Sequence, residues 1–331
     1  MTKPEAGAQS PYTVLFISGE GRSGSTIVSS ILGDHTNAVE VGELRNIWVR
    51  GVQRDELCGC GRPFSRCEFW QQVGNRAFGG WDKASADKVI RQGGGIARHR
   101  HGWLALARKA LRLPVSSQTA EWAAYHARVY DAIRAVSGCS VVVDSSKEPA
   151  YAAAIVHGGL TDLRVLHLVR DPRAVAFSFT RKKVRHEANG SALSQGAAQL
   201  MPRLGGLRAS VAWNLRNLQS QALQLFVPYL RQRYEGWSIE SIEEREQEVQ
   251  VALRLSLSGA HERDETGSRL YLAGSHSVSG NPSRFERTHA VEVRPDTAWA
   301  DVPRTWGRMS VSLLTFPLRV AYGYSRGLGR R

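Results

Sequence analysis

Short runs of β-branched and apolar residues recur along the chain and predict buried strands. The three clearest runs are Thr13–Ser18, Ser140–Val143 and Arg164–Val169. Each run is almost continuously apolar, which is typical of a strand buried on both faces of a parallel sheet. Each run ends abruptly in glycine or polar residues, so we expect the chain to leave the sheet at those points.

Apolar residues at helical spacing lie between these runs. The segment from Ile27 to Leu32 is apolar, and residues 120–137 and 207–225 carry apolar side chains every three or four positions. A further helix is predicted from Ile239 to about Ser256. Strands that alternate with helices predict an open parallel α/β sheet flanked by helices, and we expect one domain over residues 1–331.

Two stretches interrupt the alternation. Residues 48–118 predict an excursion of helix and loop that we expect to supply the walls of an acceptor site. Its Gly- and Arg-rich part, 74–118, is expected to be a mobile insertion. Residues 256–288 are rich in glycine, serine and charge, and they predict a long ordered loop or lid.

A net charge of +14 favours anionic partners, which include nucleic acid, a membrane surface and a phosphorylated cofactor. The stretch from Lys88 to Arg112 contains no acid, but Trp103 is its only aromatic residue. We therefore interpret this stretch as a solvated basic helix face and expect no nucleic-acid partner.

The first ten residues are polar and lack the apolar segment of an export signal, and no run of eighteen apolar residues occurs. We expect a cytoplasmic enzyme. The stretch Leu313–Arg331 mixes apolar, aromatic and arginine residues. A weak peripheral contact with an anionic membrane and a core-packing tail both fit it, and we favour the tail. The oligomeric state is left open.

A glycine-rich turn follows the first strand and precedes the first helix. Gly19 and Gly24 have the G-x-x-x-x-G spacing of a nucleotide phosphate loop, but Ser25 occupies the position of the usual lysine. Arg22 supplies positive charge from within the turn. Backbone N–H groups at such a helix start bind anions, so we predict a phosphate site over Arg22, Ser23, Gly24, Ser25 and Thr26.

A second phosphate signal follows the third strand. Arg170 ends that strand, Asp171 is a natural N-cap and Pro172 suits the first turn of a helix. Ser178 lies near the first two turns of that helix. An arginine and a hydroxyl that converge at a strand end can clamp a phosphate.

These two stretches resemble the cofactor motifs of sulfotransferases. Arg22-Ser23-Gly24-Ser25-Thr26 resembles the 5'-phosphosulfate loop of tyrosylprotein and carbohydrate sulfotransferases, and Arg170 to Ser178 resembles the 3'-phosphate motif R-D-P-R-x-x-x-x-S. The resemblance implies the sulfotransferase fold. It also implies transfer of a sulfuryl group from 3'-phosphoadenosine 5'-phosphosulfate to a hydroxyl of a small molecule, lipid or glycan.

The resemblance also assigns roles to single residues. Glu43 is the implied catalytic base, while Arg22 and Lys147 are the implied electrostatic catalysts on the bridging and sulfuryl oxygens. A late loop at about 270–288 is expected to cover the nucleotide and to bring Arg284 to the 3'-phosphate. Arg233-Tyr234-Glu235 matches the family, but Gly236-Trp237 follows where Asp-Leu is usual.

Three thiols, Cys58, Cys60 and Cys67, lie close together in the sequence and raise the question of zinc. No fourth cysteine or histidine lies nearby, so we expect no metal and favour packing or redox sensitivity. His276, in the late loop, fits a structural role as well as a functional one.

Two other functions stay open. A phosphate-loop kinase would need Mg²⁺ and the lysine that Ser25 replaces. A non-catalytic protein that binds nucleotide or RNA would not need the base, which is present as Glu43. Competing candidates for the base are His35, His167 and His276, because cytosolic sulfotransferases use a histidine.

Overall fold

Five parallel strands form the central sheet. The structure is a computed structural model that describes residues 12–160, 162–182, 184, 200–285, 290–301 and 306–324. The strands are β1 (Thr13–Ser18), β2 (Ala38–Gly42), β3 (Val141–Lys147), β4 (Leu163–Val169) and β5 (Tyr229–Arg233). Their order across the sheet is β2-β3-β1-β4-β5, and every neighbouring pair is parallel. The predicted open parallel α/β sheet is confirmed.

Helices flank the sheet on both faces. They are α1 (Ser25–Gly33), α2 (Glu68–Phe78), α3 (Ala86–Ile96), α4 (His99–Ala110), α5 (Ser117–Ser137), α6 (Pro149–His157), α7 (Pro172–Thr180), α8 (Gly206–Ala222), α9 (Ile242–Leu253), α10 (Trp306–Leu314) and α11 (Phe316–Ala321). A π-helix spans Ile47–Gln53, and two short strands, β6 (Glu262–Arg263) and β7 (Leu270–Tyr271), form an antiparallel pair.

Alternate residues of β1 belong to two separate cores. Val14 and Phe16 pack in one apolar cluster, and Leu15 and Ile17 pack in another, with all four fully buried. Successive side chains of a strand point to opposite faces of a sheet, so β1 is covered on both sides. Burial on both faces of the sheet explains why the sequence of β1 is continuously apolar.

The two strands missing from the sequence prediction contain polar residues. β2 contains Glu40, whose buried carboxylate accepts a hydrogen bond of 2.7 Å from Ser29 Oγ. β5 lies at one edge of the sheet and contains Arg231 and Arg233. Edge strands tolerate charged side chains, so neither strand shows the apolar run that identifies the central strands.

The excursion between β2 and β3 consists of packed helices rather than a mobile insertion. Helices α2, α3 and α4 lie within it, and Val89, Ile96 and Leu106 are buried in the core. Its apolar positions recur at helical spacing, but the glycines and arginines between them hide that pattern in the sequence.

The C-terminal segment divides between burial and exposure. Tyr322 and Tyr324 are buried, and Tyr324 donates hydrogen bonds to the Val169 carbonyl (3.1 Å) and the Glu235 carboxylate (2.6 Å). Leu313 and Phe316 are exposed. The tyrosines behave as the expected core-packing tail, while contact with a membrane stays a prediction. No helix among the described residues is long and apolar enough to cross a membrane.

Candidate active site

The carboxyl ends of the parallel strands open into a cleft of about 660 Å³. Open α/β sheets bind ligands at this edge. The strand ends contribute the following lining residues, in sheet order: Glu43 after β2, Lys147 on β3, Gly19 to Gly21, Arg22 and Gly24 to Thr26 after β1, Arg170 after β4, and Tyr234 after β5. After the roles that the sequence resemblance implies, we call the side with Glu43 and Lys147 the transfer end and the side with Arg170 and Ser178 the nucleotide end.

Gly24 allows the turn after β1 to pack tightly against the rest of the cleft. Its φ angle is 84°, and an added Cβ would lie 2.2 Å from the Tyr234 ring. A side chain at this position would therefore face both backbone strain and a collision. Helix α1 begins at the next residue, so its first N–H groups lie beside the cleft as the sequence predicts.

Arg22 contributes positive charge from within the turn. Its guanidinium lies 5.7 Å from the centre of the Phe179 ring, and the buried Nη1 has no hydrogen-bond partner within the described part of the chain. Burial lowers the pKa of Arg22, and the nearby Glu43 carboxylate opposes that shift. A buried guanidinium nitrogen without a partner is suited to receive an anion.

Glu43 and Lys147 form an ion pair at the transfer end. Lys147 Nζ lies 2.5 Å from Glu43 Oε1, and each side chain is 16% exposed. The other carboxylate oxygen accepts hydrogen bonds from Asn46 Nδ2 at 2.7 Å and Ser279 Oγ at 3.1 Å. Both residues therefore line the cleft, and in the free protein they satisfy each other.

The electrostatics of this end keep Glu43 ionised. Burial alone would raise the pKa of Glu43, but Lys147, Arg50 and Arg45 outweigh it and hold the pKa at about 2. A carboxylate surrounded by cations prefers its charged form. Glu43 is thus deprotonated at neutral pH, but it is a weak base while Lys147 stays beside it.

Sequence reasoning missed the groups that orient Glu43. Ser279 Oγ accepts from Arg50 and from Asn46 and donates to Glu43, so three residues form a chain of hydrogen bonds on the carboxylate. Asn46 and Arg50 lie three and seven positions after Glu43, a helical spacing that the sequence displays. Ser279 lies 236 residues away and offers no local signal.

A buried polar network fixes the end of β3. Asp144 accepts hydrogen bonds from Tyr130 OH (2.5 Å), Ser146 Oγ (2.5 Å) and the Ser146 N–H (2.8 Å). Ser146 Oγ in turn accepts from the Arg45 N–H at 3.0 Å. These bonds join β3 to the segment after β2, so Lys147 and Glu43 are held at adjacent strand ends.

A second network of hydrogen bonds and ion pairs, which the sequence did not predict, holds the phosphate turn in place. The buried Glu20 carboxylate accepts from the Gly21 N–H at 2.8 Å and from Arg216 Nη1 at 2.5 Å. Arg216 also pairs with Glu148 at 3.5 Å. The turn is thereby tied to helices α8 and α6.

Arg170 and Ser178 lie together at the nucleotide end, and both are buried. The Arg170 guanidinium stacks 4.8 Å above the Tyr234 ring and donates to the Arg22 carbonyl at 3.0 Å. Its Nη2 pairs with the Asp296 carboxylate at 3.2 Å, and its buried Nε has no partner among the described residues. One N–H of this arginine is thus available for an anion, and another contacts a carboxylate that an anion could replace.

The residues around Arg170 explain two features of the sequence. Asp171 caps helix α7 as predicted, because its carboxylate accepts from the Arg173 N–H at 2.8 Å. Glu235 accepts from the Asp171 N–H at 3.0 Å, and the Trp213 indole donates to the Arg170 carbonyl at 3.0 Å. Tyr234 and Glu235 of the R-Y-E match therefore hold the nucleotide end directly.

Two predicted ligands do not line the cleft in this structure. Ser23 is buried in the turn behind it, and the buried Arg284 donates to the Leu57 carbonyl at 3.0 Å. Gly280 and Asn281 of the late loop do line the cleft, while residues 286–288 of that loop are outside the described part. Of the excursion 48–118, only Arg50 appears among the lining residues.

The rival histidines lie elsewhere. His35 hydrogen-bonds to Glu246 at 2.9 Å, and His167 is held between Tyr229 OH (2.6 Å) and Asn217 Oδ1 (2.8 Å). Burial lowers the pKa of His167 to about 4. His276 lies against Cys58 and Cys67. Among the described residues, no histidine lines the cleft, whereas Glu43 does.

No protein-family model and no curated protein matches the chain. Among solved structures, the chain is similar to the sulfotransferase domain of the olefin synthase from Synechococcus PCC 7002. The two are 17% identical with a TM-score of 0.46, and the match covers 96% of this chain and 98% of that domain. What the cleft does has to be inferred from its own residues.

Proposed function

We propose that the protein is a sulfotransferase that uses 3'-phosphoadenosine 5'-phosphosulfate as donor and a hydroxyl as acceptor. The observation that carries the proposal is the pairing of Glu43 with Lys147 at one end of a cleft whose other end holds Arg170 and Ser178. The phosphate turn lies between them, with Ser25 in place of the lysine that a nucleotide triphosphatase needs.

The cleft suits a donor with two anionic groups. The start of α1 and Arg22 would hold the 5'-phosphosulfate, and Arg170 with Ser178 would hold the 3'-phosphate. The buried Arg22 Nη1 and Arg170 Nε, which lack partners among the described residues, support this fit. A role for Arg284 stays a prediction that requires the late loop to move.

The reaction we infer is an in-line displacement. The acceptor oxygen attacks the sulfur, the bond between sulfur and the bridging phosphate oxygen breaks, and adenosine 3',5'-bisphosphate leaves. Glu43 takes the proton of the acceptor hydroxyl. Arg22 and Lys147 stabilise the charge that develops on the sulfuryl and bridging oxygens.

Donor binding has to separate Lys147 from Glu43 for this reaction to run. The bound phosphosulfate offers Lys147 new anionic partners, and a lysine that turns toward them leaves the Glu43 carboxylate with less positive charge nearby. The pKa of Glu43 then rises from about 2, and the group becomes a better base. The ion pair therefore couples proton abstraction to the presence of donor.

The acceptor is defined only by class. A small molecule, a lipid and a glycan each carry a suitable hydroxyl. Apolar side chains contribute to the described lining of the cleft, which suits an acceptor with an apolar part. They include Phe179, Met201, Pro202 and Leu204.

Labelled donor tests the proposal directly. Purified protein is incubated with sulfur-labelled donor and a cell extract, and mass spectrometry follows products that gain one sulfuryl group. Parallel reactions contain Lys147→Met protein or replace the donor by ATP with Mg²⁺. Transfer from the donor without Mg²⁺, lost in Lys147→Met, supports the proposal. Phosphoryl transfer that requires Mg²⁺ would identify a kinase instead.

A further inference from the structure

A compact group of sulfur and nitrogen atoms lies outside the cleft. Cys58, Cys60, Cys67 and His276 each offer one ligand atom, and all four atoms lie within 4.8 Å of one another. Cys60 Sγ and Cys67 Sγ are 3.7 Å apart, and His276 Nδ1 lies 3.2 Å from Cys67 Sγ and 3.8 Å from Cys58 Sγ. The fourth ligand that the sequence analysis sought is supplied from 209 residues away.

These separations are close to those of a tetrahedral zinc site, with the Cys67–His276 pair slightly shorter. Zinc binds sulfur at about 2.3 Å and imidazole nitrogen at about 2.0–2.1 Å, so tetrahedral ligands lie about 3.5–3.8 Å from one another. Three thiolates and one imidazole form a ligand set that selects zinc over the harder divalent ions.

The local backbone presents the first two thiols as a unit. The Cys58 N–H donates to the Arg62 carbonyl at 2.8 Å, and the Gly61 N–H donates to the Cys58 carbonyl at 2.9 Å. A Cβ on Gly59 would lie 2.5 Å from both the Ser275 carbonyl oxygen and Ser277 Oγ. Glycine between the two cysteines therefore lets this turn approach the late loop closely enough for His276 to join it.

His276 and Cys67 are also held in place. The imidazole stacks on Phe69 with ring centres 4.7 Å apart, and the His276 carbonyl accepts from the Trp70 indole at 2.8 Å. Cys67 is buried and directly precedes helix α2, whose N-terminus favours a thiolate. The ligands are thus oriented by contacts that need no metal.

A second group of potential metal ligands, His35, His261 and Glu246, differs in its chemistry. His35 and His261 both hydrogen-bond to Glu246 at 2.9 Å, and His261 also bonds to Asp34 at 3.1 Å. Three of the four imidazole nitrogens there have a carboxylate partner. Three thiols and one imidazole satisfy one another only weakly, since thiols are weak donors and weak acceptors.

We infer that Cys58, Cys60, Cys67 and His276 bind one structural zinc ion that fastens the late loop to the segment after the π-helix. Four protein ligands leave no open position, so the ion has no place for substrate. This inference revises the sequence-based expectation of no metal. It does not depend on the proposed function of the cleft.

The position of the site gives the ion a role. Three residues after His276, Ser279 donates to the Glu43 carboxylate, and the Glu43 N–H donates to the Val278 carbonyl at 2.7 Å. Zinc at His276 would hold this part of the loop against Glu43. Ser279 is therefore a positioning residue on the loop segment that the ion would fasten.

Metal analysis of the full-length protein, purified under reducing conditions, tests the inference. We expect one zinc per chain in the native protein and in Cys139→Ser, the matched control that changes the only cysteine outside the cluster. The Cys60 side chain is exposed. The Cys60→Ser variant should therefore lose its zinc at a chelator concentration at which the control variant keeps its zinc. His276→Asn should do the same.

Cobalt exchange provides a readout that does not depend on folding of a variant. Cobalt-loaded native protein should show the visible absorption of a tetrahedral ion and thiolate-to-metal charge-transfer bands, and these bands should weaken in Cys60→Ser. Native protein without bound metal, with a Cys60–Cys67 disulfide or with all four thiols freely titratable, would overturn the inference. Metal content and spectra are read without the donor, so failure of the sulfotransferase proposal leaves this result interpretable.

Discussion

The two ends of the cleft differ in how their charged groups are satisfied. At the transfer end, the Glu43 carboxylate already accepts hydrogen bonds from Lys147, Asn46 and Ser279. At the nucleotide end, the buried Arg170 Nε has no partner among the described residues, and the only carboxylate that pairs with this guanidinium there is the partly exposed Asp296. The charged groups of the transfer end are paired with one another, whereas the nucleotide end has a guanidinium N–H that can bind an anion.

This difference suggests an order of events. Arg170 is held by its stacking on Tyr234 and its bond to the Arg22 carbonyl, so the nucleotide end needs little rearrangement to bind. Under the proposed function, the transfer end would have to exchange the Lys147–Glu43 pair for contacts with the donor before Glu43 could act as a base. We infer that donor binds first and that acceptor chemistry follows.

The largest expected effect tests the transfer end. Glu43→Gln keeps the size of the side chain but cannot take a proton, so we expect single-turnover transfer to fall by about 10²–10⁴-fold with little change in donor affinity. The matched control is Glu292→Gln, which changes a half-exposed carboxylate of the same cleft. If Glu43→Gln transfers at a near-native rate while His35→Ala does not, the base has been assigned wrongly.

The next effect tests the nucleotide end. Arg170→Ala removes a charge-assisted contact worth roughly 1.5–3 kcal/mol, so affinity for adenosine 3',5'-bisphosphate should fall about ten- to a hundredfold. Calorimetry with this ligand and with AMP measures the contrast, because AMP lacks the 3'-phosphate. Equal losses for the two ligands would mean that Arg170 does not recognise that phosphate.

A pH comparison sharpens the proposed order. A general base must be ionised, and a lower pKa preserves its activity to lower pH. In the free protein the pKa of Glu43 is about 2, so kcat/KM for donor should show no loss from this group at moderately acidic pH. With donor saturating, Lys147 has moved and the pKa of Glu43 has risen, so kcat/KM for acceptor should fall about tenfold per pH unit below that higher value. Identical acid limbs in both profiles would argue against the exchange of partners.

The smallest expected effect concerns Asp296, whose carboxylate pairs with Arg170 Nη2 in the free protein. A partly exposed ion pair is worth about 0.2–1 kcal/mol, so Asp296→Asn should tighten adenosine 3',5'-bisphosphate binding by at most about fivefold. Binding of AMP, titrated in the same experiment, should change less. Weaker binding of the bisphosphate in this variant would show that Asp296 helps to hold Arg170 in place.

The sequence predicted the fold and the cleft residues where the signal is local. β1 was predicted to the residue, because a central strand buried on both faces is continuously apolar. Glu43, Lys147 and Arg170 all line the cleft because each follows or ends a strand, and parallel strands end at the same edge. The edge strand β5 escaped prediction because its arginines break the apolar pattern.

Contacts between distant parts of the chain could not be predicted in this way. Ser279 contacts Glu43, and His276 contacts Cys67. The residues of each pair are more than two hundred positions apart, so no spacing in the sequence predicts either contact. Arg284 shows the reverse case, since its motif position suggested a ligand but its guanidinium donates to the Leu57 carbonyl. Loop placement depends on the tertiary packing that a local pattern does not contain.

The order of the strands also sets the distance between two positions along the edge of the sheet. Glu43 follows β2 and Arg170 follows β4, which are separated by three inter-strand gaps of about 4.8 Å, or about 14 Å in all. Hydrogen bonding fixes these gaps, so the separation between the two backbone positions does not depend on the side chains that they carry. If Arg170 holds the 3'-phosphate as proposed, a shorter donor would not bring its sulfuryl group to an acceptor beside Glu43. Under the proposed function, the spacing of the strands would thus select donors by length.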